Sequence, residues 1–81
     1  MSAEREPEPE PEQIAIRGES IRLGQLLKLA GIIDSGGEAR EFLTHEAVLV
    51  NGEPESRRGR QLRPGDEIRA GARTLRLTGS Q

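Results

Sequence analysis

Residues 22–52 read RLGQLLKLAGIIDSGGEAREFLTHEAVLVNG, and the spacing of their apolar side chains switches from helical to extended part-way along. Leu23, Leu26, Leu27 and Ala30 fall at i, i+3, i+4 and i+7, the stripe of one helix face. Gly31 follows as a helix stop. The pattern predicts a first helix over residues 22–30, in which Gly24 costs about 1 kcal/mol relative to alanine. Gln25 and Lys28 lie off the stripe. After Ile32-Ile33-Asp34, Ser35 and Glu38 have the Ser-x-x-Glu spacing of a capping box. Ala39, Phe42 and Leu43 carry a second stripe, which predicts a helix over residues 36–46 with Phe42 in the core. From Val48 the period is two: Val48 and Val50 point one way, Leu49 and Asn51 the other. Asn51-Gly52 closes the strand with a turn signal.

The flanks extend this pattern. Ile14 and Ile16 alternate within residues 13–17, consistent with a short strand, and Gly18-Glu19 reads as a turn. Pro64-Gly65-Asp66 is a turn before the strand Glu67-Ile68-Arg69, and Gly71 breaks the chain again. Residues 73–78 form a last strand, with Leu75 and Leu77 inward and Arg73 and Arg76 outward. One strand, two helices and then three or four strands indicate an α+β domain.

At 81 residues the chain makes one domain with a thin core. It has no cysteine, which excludes a disulfide scaffold, a thiolate metal site and a cysteine nucleophile. It has no apolar run long enough for a bilayer and no signal-type stretch, so no membrane role is expected and the expected compartment is the cytoplasm. Phe42 is the only aromatic residue.

Charge is unevenly distributed. Residues 1–13 hold five glutamates and one arginine, and AEREPEPEPE at residues 3–12 is expected to be a disordered, extended acidic leader. Residues 14–81, the expected folded domain, are mildly basic. Between Ser56 and Arg76 seven arginines (Arg57, Arg58, Arg60, Arg63, Arg69, Arg73, Arg76) face two acids, Asp66 and Glu67. An ordered, single-sign arginine cluster suits phosphate, which guanidinium binds in bidentate fashion. The alternative is a solvated cluster that protects a strand edge.

A second anion site is suggested at Ser35-Gly36-Gly37-Glu38-Ala39-Arg40. If Ser35 caps the helix, the glycines occupy its first two positions at a cost of up to roughly 2 kcal/mol. They also bare the first N–H groups, where the helix dipole favours an anion, and Arg40 lies one turn on. The alternative is an ordinary flexible helix entry. Arg22 and Lys28 suit either phosphate contact or solvent. His45 reads as a surface or capping histidine. No nucleophile, base, metal or cofactor constellation is present, so neither catalysis nor a small-molecule substrate is expected.

These residues resemble the S-four RNA-binding domain, named for small-subunit ribosomal protein four. The likeness rests on Arg22-Leu23, Ser35 with Ala39-Arg40, Val48-Leu49-Val50-Asn51-Gly52 and Gly65-Asp66-Glu67-Ile68, and covers about residues 20–70. Leu-Leu-Lys-Leu-Ala, Ser-Gly-Gly and Arg-Arg-Gly-Arg are similar to the small stand-alone bacterial members. The resemblance implies two helices on a small bent, mostly antiparallel sheet (the αL motif). It also implies RNA binding through the second helix's N-terminus and the adjoining β-loop. One departure is Glu46-Ala47, where many members have glycine before the strand; the helix-to-strand turn is expected to differ.

The sequence thus points to a non-enzymatic, monomeric protein that reads structured RNA of the ribosomal or transfer class by its backbone. The expected contacts are Arg22, Lys28, Ser35, Gly36, Gly37, Arg40, Asn51, Arg57, Arg58, Arg60 and Arg63. The rival reading is an adaptor that docks an acidic protein on the arginine surface.

Overall fold

The alternation of Ile14 and Ile16 does build a strand, β1, spanning Glu12–Ile16. The structure is a computed structural model that describes residues 11–79; the acidic run at residues 1–10 lies outside it. β1 begins within the stretch that composition assigns to the leader. After a turn at residues 17–19 come β2 (Ile21–Arg22) and helix α1 (Leu23–Leu29), which ends at Gly31 in the left-handed region (φ 77°) as its position predicts. Helix α2 spans Glu38–His45. The remaining strands are β3 (Val48–Val50), β4 (Glu53–Pro54), β5 (Gln61–Leu62), β6 (Glu67–Ala70) and β7 (Arg73–Gly79).

Five strands form one sheet in the order β1-β7-β6-β3-β4, antiparallel throughout except where β1 runs parallel to β7 at the edge. β2 and β5 form a separate two-stranded ribbon. The result is the expected α+β arrangement, although two strands rather than one precede the helices and five rather than three or four follow them. The core is aliphatic. Leu23, Leu26 and Leu27 of α1 and Ala39 and Leu43 of α2 pack over Ile16, Val48, Val50, Ile68, Leu75 and Leu77 of the sheet, with Leu62 beneath. Each large buried side chain contributes about 1.5–3 kcal/mol. Among the described residues no polar or charged residue is buried as a whole, although the Glu55 side chain is only 7% exposed.

Three expectations need correction. Phe42 is only half-buried: it packs against the core but also lines a surface depression with Asp34, Glu38 and Glu41. Arg73 does not point freely outward. Its guanidinium folds back to donate to the Ala30 carbonyl at the end of α1 (3.0 Å) and to the Glu12 carboxylate (2.8 and 2.6 Å). It therefore ties the edge strand β1 to the helix layer and meets the negative end of the α1 dipole. The third correction concerns the start of α2. Ser35 is not its cap: Gly37 occupies that position, and no side chain caps the helix. Gly36 and Gly37 form a tight turn ahead of the helix, in which the Glu38 and Ala39 N–H groups donate to the carbonyls of Ser35 and Gly36. Half of the expected box survives, because Glu38 Oε1 reaches back to accept from the N–H groups of Asp34 (2.6 Å) and Ser35 (3.1 Å).

Candidate nucleic-acid interface

The arginine loop between β4 and β5 is fastened to the start of α1 by its backbone. The first N–H groups of a helix have no partner within it. Here Leu23 N–H donates to the Arg60 carbonyl (2.8 Å) and Gly24 N–H to the Arg58 carbonyl (2.9 Å). Gly24 lies at this close approach. A β-carbon there would stand 3.4 Å from the Cβ atoms of both Ala39 and Arg58, so α1, α2 and the loop converge where one side chain is missing.

Around that junction lies a groove of about 330 Å³, lined among others by Arg22, Gly24, Lys28, Gly36, Arg58 and Gly59. No carboxylate of the described residues lines it. None of the ion pairs among the described residues engages Arg22, Lys28 or Arg58. The turn before α2 leaves the Gly36 and Gly37 N–H groups without an internal acceptor among the described residues. Three cations, one each from β2, α1 and the loop, therefore share one concavity with the bare backbone that precedes α2.

The other expected contacts are distributed more widely. Gly37 and Arg40 line a shallower depression on the neighbouring face of α2. Ser35 is exposed, and its backbone N–H is held by Glu38. Arg63 has an exposed side chain in the turn before β6, where its N–H donates to Asp66 Oδ2 (2.9 Å). Asn51 is committed internally. It sits in the left-handed region (φ 52°), donates from Nδ2 to Asp66 Oδ1 (3.1 Å) and accepts from Glu67 N–H (2.9 Å). It locks two turns together and takes no part in the groove lining.

Arg57 and Arg60 are not free. The Glu55 carboxylate accepts from the N–H groups of Ser56 and Arg57, from Arg57 Nε (3.0 Å) and Nη2 (3.2 Å), and from Arg60 Nη1 (2.7 Å). These bonds, led by the Arg57 side chain and then its N–H, pull the Glu55 carboxyl down to about 2. Sequence reading missed this residue because it lies immediately before the arginine-rich window. An acid two and five positions ahead of arginines was the available signal. Arg73 and Arg76 are likewise engaged, with Glu12 and Glu67, so much of the arginine surplus is spent on holding the fold. Arg58, which no ion pair among the described residues engages, projects from the scaffold that Glu55 holds.

The opposite charge collects elsewhere. Asp34, Glu38, Glu41 and Glu46 line the depression around Phe42 and His45. α2 thus separates a cationic groove from an acidic hollow.

The S4 domain family matches residues 14–78, nearly all of the described fold. The chain belongs to the S4 domain family. A Bacillus subtilis (strain 168) protein named probable ribosome maturation protein RlbA is 56% identical over 55 residues, which span 68% of this chain and 78% of that relative. In this S4 domain the Glu46-Ala47 departure has a simple backbone account. Glu46 leaves α2 in an extended conformation (φ −115°, ψ 141°), so the helix runs straight into β3 with no left-handed residue and no need for glycine. Among the described residues no group of His, Asp, Glu or Cys is placed to hold a metal ion, and no helix is long and apolar enough to cross a membrane.

Proposed function

We propose that this chain is a non-enzymatic, monomeric RNA-binding protein that grips structured RNA by its phosphate backbone. The observation that carries this reading is the groove in which Arg22, Lys28 and Arg58, all outside the ion pairs among the described residues, meet the Gly36 backbone with no carboxylate of the described residues in the lining. Bare N–H groups and guanidinium forks are the donors that phosphate oxygens accept from. Family membership and the ribosome-maturation relative make ribosomal RNA the first class to try. The groove holds no aromatic platform, since Phe42 lies on the acidic side of α2. Readers of single strands stack bases on such platforms, so recognition here is by the shape and charge of a folded RNA.

The test is a titration of purified bacterial ribosomal RNA at several salt concentrations. About four phosphate contacts give a log–log slope of about −3. Arg22→Ala, Lys28→Ala and Arg58→Ala each flatten the slope by about 0.7–0.9. A triple alanine variant of Arg57, Arg58 and Arg60 that binds as tightly as the parent defeats the reading. So does a binding partner that is protein and survives ribonuclease treatment, the outcome expected of an adaptor.

A further inference from the structure

We infer that the RNA track is longer than this groove, crossing the exposed face of α1 to the turn at Arg17–Ser20. The inference rests on the groove being an RNA site. A second groove, of about 840 Å³, runs between β1 and α1 and is lined chiefly by Arg17, Ser20, Ile21, Gln25, Lys28 and Leu29. Gln25 and Lys28 line both grooves, so the two are one surface folded over the polar ridge of α1.

Three features give this extension its chemistry. Like the first groove, it is lined by no carboxylate of the described residues: Glu19, in the same turn as Arg17, is exposed but not part of the lining. Arg17 is exposed and belongs to none of the ion pairs among the described residues. Leu29 is the one large hydrophobic residue that stands exposed among the described residues, at 57%. An apolar side chain between two cations suits a nucleotide strand, whose riboses and base edges present apolar surface between regularly spaced phosphates. An RNA backbone laid along this path meets Arg58, Arg22, Lys28 and Arg17, with Leu29 beneath a sugar.

The chain has no cysteine, so single cysteines are unique attachment points. Ser20→Cys and Glu41→Cys, each carrying a photo-crosslinker, are irradiated with purified bacterial ribosomal RNA. Ser20→Cys is expected to capture RNA several-fold better than Glu41→Cys, which lies in the acidic hollow. In parallel, Arg17→Ala is expected to flatten the salt slope by about 0.7–0.9, whereas Arg17→Lys leaves it unchanged. If Arg58→Ala flattens the slope but Arg17→Ala does not, or if the two crosslinkers capture RNA equally, the extension is wrong while the groove reading stands. If Arg17→Ala and Arg58→Ala both leave the slope unchanged, both readings fall.

Discussion

Replacing Glu55 with glutamine keeps its shape and removes its charge, which tests whether the arginine loop is held by one carboxylate. The carboxyl sits at about 2 instead of its ordinary 4.5. At about 1.4 kcal/mol per pH unit, that difference is worth roughly 3 kcal/mol at face value. Arg57 and Arg60, however, keep 74% and 36% of their side chains exposed, and solvent screens such pairs. About 1–2 kcal/mol is therefore the better figure. The sign follows from the direction of the shift. The carboxyl is more acidic in the folded chain than in the unfolded one, so its contribution is complete above about pH 4.5 and fades as pH falls towards 2. Urea unfolding at pH 7 should show Glu55→Gln less stable by about 1–2 kcal/mol, which lowers the midpoint by about 1 M for a domain this small. Near pH 2 the two proteins should nearly converge. A penalty of the same size at both pH values, or none at pH 7, would refute the claim that Glu55 organises the loop through its charge.

Two other substitutions probe the scaffold. Gly24→Ala should change stability by no more than about 1 kcal/mol, since its β-carbon just reaches van der Waals contact while the helix gains propensity. Gly24→Val should wedge Arg58 from α1, cost about 1–3 kcal/mol in thermal or urea unfolding and weaken RNA binding; equal behaviour of the two variants contradicts the three-way junction. Asn51→Ala should lose about 1–2 kcal/mol, from the severed bonds to Asp66 and Glu67 and from left-handed strain, with Asn51→Gly recovering the strain part. Its affinity for RNA at fixed salt, measured where it is fully folded, should match the parent's, as befits a residue that locks turns; a several-fold loss would return Asn51 to the interface.

The parts of the fold legible in the sequence are those whose cause is local. The leucine stripe of α1, the alternation of Val48 and Val50, the stop at Gly31 and the Asn51-Gly52 turn each follow from a few neighbouring residues, and each stands where its spacing placed it. What escaped depends on partners far apart in sequence. Nothing around Arg73 announces that it will clasp Glu12 and Ala30, and nothing around Gly24 announces Arg58. The start of α2 was misplaced for a subtler reason: Ser-x-x-Glu spacing specifies the glutamate's reach, which is observed, but two glycines between let the chain turn once more before the helix begins. The same division holds for the interface. Gly36 and Arg58 were expected to contribute to one anion-receptive surface and do line one groove, whereas counting arginines could not reveal which of them Glu55 had already engaged.

The pairing of β1 with β7 has a consequence for the order in which this molecule can assemble. β1 neighbours no other strand of the sheet, and its register spans from Glu12 opposite Leu75 to Ile16 opposite Gly79. During synthesis the first strand made must wait, unpaired, until nearly the last described residue has been added. Nascent chains paused before β7 should therefore hold helices and a partial sheet with a loose amino-terminal strand. The closing motion of folding would be a clasp drawn shut by Arg73.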